Sequence, residues 1–320
     1  YYAFMLLTKM TDRFGNYVNY NYSGNDLTSI VAKDGRKITI QYEGGKVSTV
    51  TVNGRQWHYD YSSSHSLIAV TRPDGKAWSY QLADIADTKA PSTYASSGND
   101  ACKIFTPRDA QGSITHPDGV KGEFYLQSKL HGRAKTVSGY DAVLKRDQTA
   151  RCFATMSLVQ KVLTGPGLGS LQWDYRYSQN IGWYGSTTPS EASMGRTVQY
   201  DTSSGSTLNP YTHKYTEVTA PDSSKTSYYF NRDFTSFRDG ALVATEVKGA
   251  NGVLLGLTVN HVTQSPYLGT TALMNENLLP HSHRQDKSKE IVLRYNGSAF
   301  ESFVTETTSH DKYGHPTATK

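Results

Sequence analysis

Four glycines set the rhythm of the first part of the chain. Gly15, Gly35, Gly54 and Gly75 follow one another at intervals of 20, 19 and 21 residues. Three, five and seven places after each comes an apolar or aromatic residue. These are Val18, Tyr20 and Tyr22; Ile38, Ile40 and Tyr42; Trp57, Tyr59 and Tyr61; and Trp78, Tyr80 and Leu82. A spacing of two puts all three side chains on one face of a β-strand. Polar residues such as Asn19, Asn21, Thr39, Gln41, His58 and Asp60 take the other face.

The glycines have a conformational reason. Asp34-Gly35, Asn53-Gly54 and Asp74-Gly75 are dipeptides that favour tight turns with positive φ. Ser23-Gly24-Asn25-Asp26, Glu43-Gly44-Gly45-Lys46 and Ser62-Ser63-Ser64 close the far ends of the strands. Shorter strands then return through residues 27–31, 47–52 and 67–71. Two strands alone are barely stable in water, so successive hairpins must stack edge to edge.

Composition agrees with this pattern. The chain holds 23 tyrosines against 10 phenylalanines and 4 tryptophans, and tyrosine suits a pleated, half-buried surface. An aromatic content of 12% with 19% charged residues excludes a disordered chain. No apolar run approaches the ~20 residues of a membrane-spanning helix. The net charge of +5 is spread along the sequence, with no basic block of the kind that marks nucleic-acid binding. Tyr1 without an initiator Met or signal-like segment is read as the start of a piece, so an export signal is expected upstream.

The same register resurfaces later with longer excursions. Ile114 precedes Gly119, and Phe124 and Leu126 follow it. Pro221-Asp222-Ser223 leads to Tyr228 and Phe230, and Asn251-Gly252 leads to Leu255, Leu257 and Val259. Trp173-Asp174-Tyr175-Arg176-Tyr177 echoes Trp57–Tyr61, and Ile291, Leu293 and Tyr295 run into Asn296-Gly297. Asp311-Lys312-Tyr313-Gly314 matches Asp12-Arg13-Phe14-Gly15. The expected organisation is regular repeats over 1–82, a loop-rich insertion over 83–112 with a helical turn near Asp84–Lys89, and degenerate repeats over 113–320. The fold class is all-β: tandem hairpins of about twenty residues, stacked in a curved, spiralling sheet or shell segment.

Asp12–Gly15, Tyr20-Asn21-Tyr22, Leu27–Ile30, Asp34-Gly35, Tyr42 and Tyr59-Asp60-Tyr61 together resemble the tyrosine-aspartate (YD) repeats of the rearrangement-hotspot (RHS) family. The resemblance is specific over Met10–Leu82. It implies a long hairpin sheet spiralling into a hollow shell, which in many members encloses a toxic C-terminal domain. An exported bacterial protein at the cell surface or outside the cell is implied, with further repeats of the parent chain and an enclosed toxin as partners. The family's self-cleaving core carries an Asp-Pro motif, and this sequence contains no Asp-Pro.

Residues with possible chemistry are few. His281-Ser282-His283 offers half a zinc site, with Asp286 and Glu290 nearby; a polar loop is the plainer reading. His116 and His131 lie in loop-like sequence and His58 at an outward strand position, and all three are read as solvated. Cys102 and Cys152 pair only if the chain is exported, and Cys152 has no nucleophile signature. Glu301 and Glu306 could serve glycoside chemistry but read as solvated strand positions. Gly165-Pro166-Gly167-Leu168-Gly169 lacks the Lys-Ser/Thr end of a phosphate loop and reads as a turn. The expectation is therefore a structural segment with no catalytic, cofactor or metal residues. Its rival is a carbohydrate-binding or adhesive module, with Trp183-Tyr184 as exposed sugar-stacking contacts on a cell-surface glycan.

Overall fold

Among the described residues hairpin follows hairpin, with one short helix beside them. The structure, a computed structural model, describes residues 5–90, 106–136, 140–141, 146–147, 152–178, 198–201, 206–208, 213–267 and 283–320. Among them, 19 of 23 strands belong to one antiparallel sheet. No helix among the described residues is long and apolar enough to cross a membrane. The chain forms two compact units.

The first unit takes Tyr1–Asp87, Gln111–Phe124 and Leu163–Ser170. Its strands are β1 (Lys9–Thr11), β2 (Tyr17–Ser23), β3 (Asp26–Ala32), β4 (Lys37–Glu43), β5 (Lys46–Val52), β6 (Arg55–Tyr61), β7 (Leu67–Thr71) and β8 (Ala77–Gln81). Each pairs antiparallel with the next. A one-turn helix α1 (Ala83–Asp87) follows, and β9 (Asp109–Thr115) pairs with β8. The Asp84 carboxylate ties helix to strand by accepting the Gln111 N–H at 2.7 Å.

The glycine-phased residues meet across these strands as the period-two pattern requires. Tyr20 faces Ile30, Ile30 faces Ile38, and Ile40 faces Val50, which faces Trp57. Tyr59 faces Val70 and Val70 faces Trp78. Yet the best-buried residues of these strands, Ser29 at 9% and Thr49 at 8% exposure, lie on the opposite, polar face. Short side chains there sit beneath longer neighbours: Asn21 donates to Ser29 at 3.0 Å, and Thr49 lies 3.2 Å from the His58 ring. The aromatic face stays half-exposed, as a face covered chiefly by its own side chains does.

Two kinds of turn join the strands. In the longer kind the N–H of the fourth residue donates to the first carbonyl, and the first N–H donates to the fifth carbonyl. This wiring recurs at residues 12–16, 32–36, 62–66, 72–76, 116–120, 220–224, 249–253 and 311–315. The fourth residue always has positive φ: Gly15, Gly35, His65, Gly75, Gly119, Ser223, Gly252 and Gly314. It is a type I turn closed by a left-handed residue. In six of these turns an Asp or Asn side chain accepts a backbone N–H: Asp12, Asp34, Asp74, Asp222, Asn251 and Asp311. Ser62 and His116 take that part in the other two.

Gly54 differs from its three sequence counterparts. It shares a two-residue turn with Asn53, both at positive φ (76° and 49°), between the facing residues Val52 and Arg55. Asparagine tolerates the left-handed region, so the chain closes there with fewer residues. Gly44-Gly45 makes the same short connection.

The second unit takes Thr88–Ala110, Tyr125–Val162 and Leu171–Lys320. The remaining strands are β10 (Lys121–Gly132), β11 (Tyr140–Asp141), β12 (Arg146–Asp147), β13 (Cys152–Gly165), β14 (Leu168–Tyr177), β15 (Val198–Asp201), β16 (Ser206–Leu208), β17 (His213–Thr219), β18 (Lys225–Asn231), β19 (Leu242–Lys248), β20 (Leu254–Tyr267), β21 (His283–Asn296), β22 (Ala299–His310) and β23 (Pro316–Thr319). From β17 to β23 each strand pairs with the next. One cross-strand row, Tyr215–Tyr229–Ala244–Val259–Ile291, forms the apolar core. Tyr229, Ala244 and Val259 are 2%, 0% and 1% exposed; a fully buried Val contributes roughly 1.5–3 kcal/mol. The next row carries Glu217, Ser227 and Glu246. Both glutamates are buried beside a lysine, Lys225 at 3.4 Å and Lys248 at 2.8 Å.

Candidate functional site

Two features of the described residues go beyond strand pairing. The first explains the tyrosines. β3 pairs with β4 only through residues 29–31, and the two strands then part. Across this gap the Tyr42 hydroxyl donates to the Leu27 carbonyl at 3.0 Å. Tyr22 reaches the Leu7 carbonyl and Tyr61 the Val47 carbonyl in the same way, each at 3.0 Å. All three tyrosines stand seven places after a turn glycine. Next to each, the strand pairing shifts register at a bulge: Asn21/Tyr22, Gln41/Tyr42 and Asp60/Tyr61. A bulge disturbs the ladder locally, and a splayed strand end leaves carbonyls that need donors. In the second unit Tyr177 repeats the device, donating to the Leu158 carbonyl at 2.8 Å. Trp173–Tyr177 is thus a structural as well as a sequence echo of Trp57–Tyr61.

The second feature is a basic cluster around the Phe153 ring, within the second unit. Residues 231–241, between β18 and β19, break the hairpin rhythm with an ordered loop. Its ends close through Asn231 N–H to Ala241 O and Gly240 N–H to Asn231 O, both 2.9 Å. Asp233 anchors it by accepting from the Thr235 N–H and hydroxyl and by pairing with Lys135 at 2.6 Å. The segment after β10 docks alongside: Ala134 donates to Arg232 O and accepts from Phe234 N–H.

This docking gathers positive charge. The Arg133 guanidinium lies 5.0 Å from the Phe153 ring centre and the Lys214 ammonium 5.7 Å from it. Cations near an aromatic ring are attracted by its quadrupole. His131 stacks on the same ring at 5.2 Å. Arg232 is 2% exposed, and burial pushes its guanidinium down to about 10. Burial also lowers Lys214, with Arg232 and Arg133 adding to that effect and Asp239 opposing it. Beside the cluster lies a cavity of about 200 Å³ lined by His131, Tyr177, Lys214, Thr216, Phe230 and Gly240.

His131 corrects the solvated reading. It belongs to β10, and burial, then the nearby Lys214 charge, holds its imidazole down at about 4. The ring is therefore neutral at pH 7. Its Nε2 lies 3.0 Å from the Thr155 hydroxyl, while Nδ1 is buried with no hydrogen-bond partner among the described residues. His116 is also more engaged than expected: it packs edge-on against Trp78 at 4.5 Å and accepts the Asp118 N–H. His58 is exposed, in line with its outward strand position, and bonded to Thr49.

The other candidates separate. His281, Trp183, Tyr184 and Cys102 lie outside the described residues, as does the side chain of His283. Asp286 is buried, and Glu290 pairs with Lys287. Among the described residues no group of three or more His, Cys, Asp or Glu gathers as metal ligands would. Glu301 faces Arg294, and Glu306 pairs with Lys289 at 3.1 Å. Gly165-Pro166-Gly167 is the tip of the β13–β14 hairpin, its Gly167 at φ 73°. Cys152 is fully buried and disulfide-bonded.

Sequence reasoning missed Arg133, Phe153, Lys214 and Arg232. A signal for the loop was available: Arg232-Asp233 and Arg238-Asp239 repeat a charged dipeptide where a strand-turn-strand pattern should run. No protein-family model matches the chain, and no curated protein is significantly similar to it.

Proposed function

We propose that this chain is a section of wall in an exported bacterial repeat protein of the RHS type, enclosing or presenting a C-terminal toxin or effector domain. The observation that carries this reading is the tyrosine bridge. The rings that give the sequence its YD-like signature tie each hairpin to the one before it, so the motif's role is to extend a sheet. Amphipathic tyrosines suit a thin wall because the ring packs while the hydroxyl finds a partner. The disulfide at Cys152 favours an oxidising compartment, in keeping with export.

The expected partners are further repeats of the same chain. Among the described residues, β1 and β23 each pair with a single neighbour, which leaves an edge that further strands would satisfy. The test is electron cryomicroscopy of the whole polypeptide that carries these residues in the cell. Strands hydrogen-bonded to β1 and β23, around a volume holding another domain, are the expected result. Free edges with this segment standing as a separate domain would overturn the reading.

A further inference from the structure

Asparagine is followed by glycine at three places: Asn53-Gly54, Asn251-Gly252 and Asn296-Gly297. This pair carries a chemistry of its own. Glycine has no Cβ to shield its amide nitrogen, and that nitrogen can attack the side-chain Cγ of the asparagine before it. All three asparagines are exposed, so water reaches each of them. The turns around them treat the attacking nitrogen and the carboxamide differently.

At Asn251 both groups are held. Its Oδ1 accepts the Val253 N–H at 3.0 Å, and the Gly252 N–H donates to the Gly249 carbonyl at 2.8 Å. Both bonds belong to the five-residue turn over 249–253. At Asn53 neither group is held. The short turn between the facing residues Val52 and Arg55 leaves the Asn53 carboxamide and the Gly54 N–H without a hydrogen bond among the described residues. The hairpin of β21 and β22 closes as tightly, between the facing residues Asn296 and Ala299. There too the Asn296 carboxamide and the Gly297 N–H make no hydrogen bond among the described residues.

We propose that Asn53 and Asn296 are sites of spontaneous deamidation, and that the five-residue turn protects Asn251 from the same reaction. The glycine nitrogen loses its proton to water and bonds to Cγ. The Cγ–Nδ2 bond then breaks, and the side-chain nitrogen takes up a proton and leaves as ammonia. Water opens the resulting cyclic imide at either carbonyl, which yields aspartate or isoaspartate. Water is the one reactant consumed, and nothing is oxidised or reduced. Isoaspartate inserts a methylene into the main chain. A two-residue turn has no spare residue to absorb it, so the modification loosens the β5–β6 and β21–β22 joints. The proposal does not depend on the wall reading.

The test is incubation of the full 320-residue chain at mildly alkaline pH, once folded and once unfolded in urea. Peptide mapping by mass spectrometry, with chromatographic separation of the aspartate and isoaspartate forms, follows all three sites. In the folded chain Asn53 and Asn296 are each expected to convert at least about tenfold faster than Asn251, whose two hydrogen bonds must open first. In urea the three rates should converge. The proposal is overturned if Asn251 converts as fast as either of the others in the folded chain. It is equally overturned if the same difference persists in urea, because neighbouring residues and not the turns would then be its cause.

Discussion

The Tyr42 hydroxyl donates to the Leu27 carbonyl at 3.0 Å, and Leu27 is the residue that faces Tyr22 across β2 and β3. Each bridging tyrosine therefore reaches back to the strand that faces the previous one. Tyr61 continues the series by reaching Val47, which faces Tyr42. The fourth equivalent position is Leu82, where the series stops and α1 begins.

Removing one bridge should be measurable. Tyr42→Phe keeps the ring and deletes the donor, so it should cost about 1 kcal/mol. Tyr20→Phe, five places after the turn glycine and with no hydroxyl bond among the described residues, should change stability by less than about 0.5 kcal/mol. Urea unfolding of both variants decides the matter, and equal losses would refute a bridging role.

The turns make a reciprocal prediction. Gly54 sits at φ 76°, and no atom lies within 4 Å of the place its Cβ would take, so only backbone conformation resists substitution. Gly54→Val should cost roughly 1–3 kcal/mol. His65 holds the same left-handed region at φ 70°, and His65→Gly should gain up to about 1 kcal/mol. Thermal melts should move in opposite directions; an unchanged Gly54→Val midpoint would contradict the turn geometry.

His131 should make stability depend on pH. Its unfolded imidazole protonates near 6.5, whereas the folded one resists until about 4. Its contribution is thus complete above pH 6.5, shrinks as the pH falls towards 4, and is gone below it. His131→Phe, which can still stack on Phe153, should flatten this dependence. Unfolding midpoints between those two pH values and up to neutrality, with an NMR titration of the ring, give the answer. A ring that titrates at its ordinary value would remove the basis for the effect.

Reduction should also weaken the fold. A disulfide typically contributes about 2–4 kcal/mol, so a strong reductant should lower the melting temperature of the chain. Without reductant, the denatured chain should take up no thiol label. Labelling of Cys152 under those conditions would show that the bond is not formed.

Much of the fold is legible in the sequence because strands and turns are local. The glycine spacing locates the hairpins of the first unit, and Asp311–Gly314 shares its wiring with Asp12–Gly15: in each, the aspartate accepts the N–H two and four places on. The burial pattern is less legible. Counting apolar positions points to the aromatic face, whereas Ser29 and Thr49 are the best-buried residues of those strands because they are short and sit among longer neighbours. The basic cluster is not legible at all. Arg133, Phe153, Lys214 and Arg232 are far apart in sequence and meet only because residues 231–241 fold back beside the end of β10. No periodic signal records such a meeting.

The recurring five-residue turn has an evolutionary consequence. Its hydrogen bonds begin and end within the turn, and its side-chain acceptors come from the same few residues. Such a joint asks nothing of the strands beyond it. Recombination between two copies would leave an intact joint on both sides, so a lineage could gain or lose whole hairpins in one step. The length of the array, unlike the chemistry of its junctions, would then be free to drift.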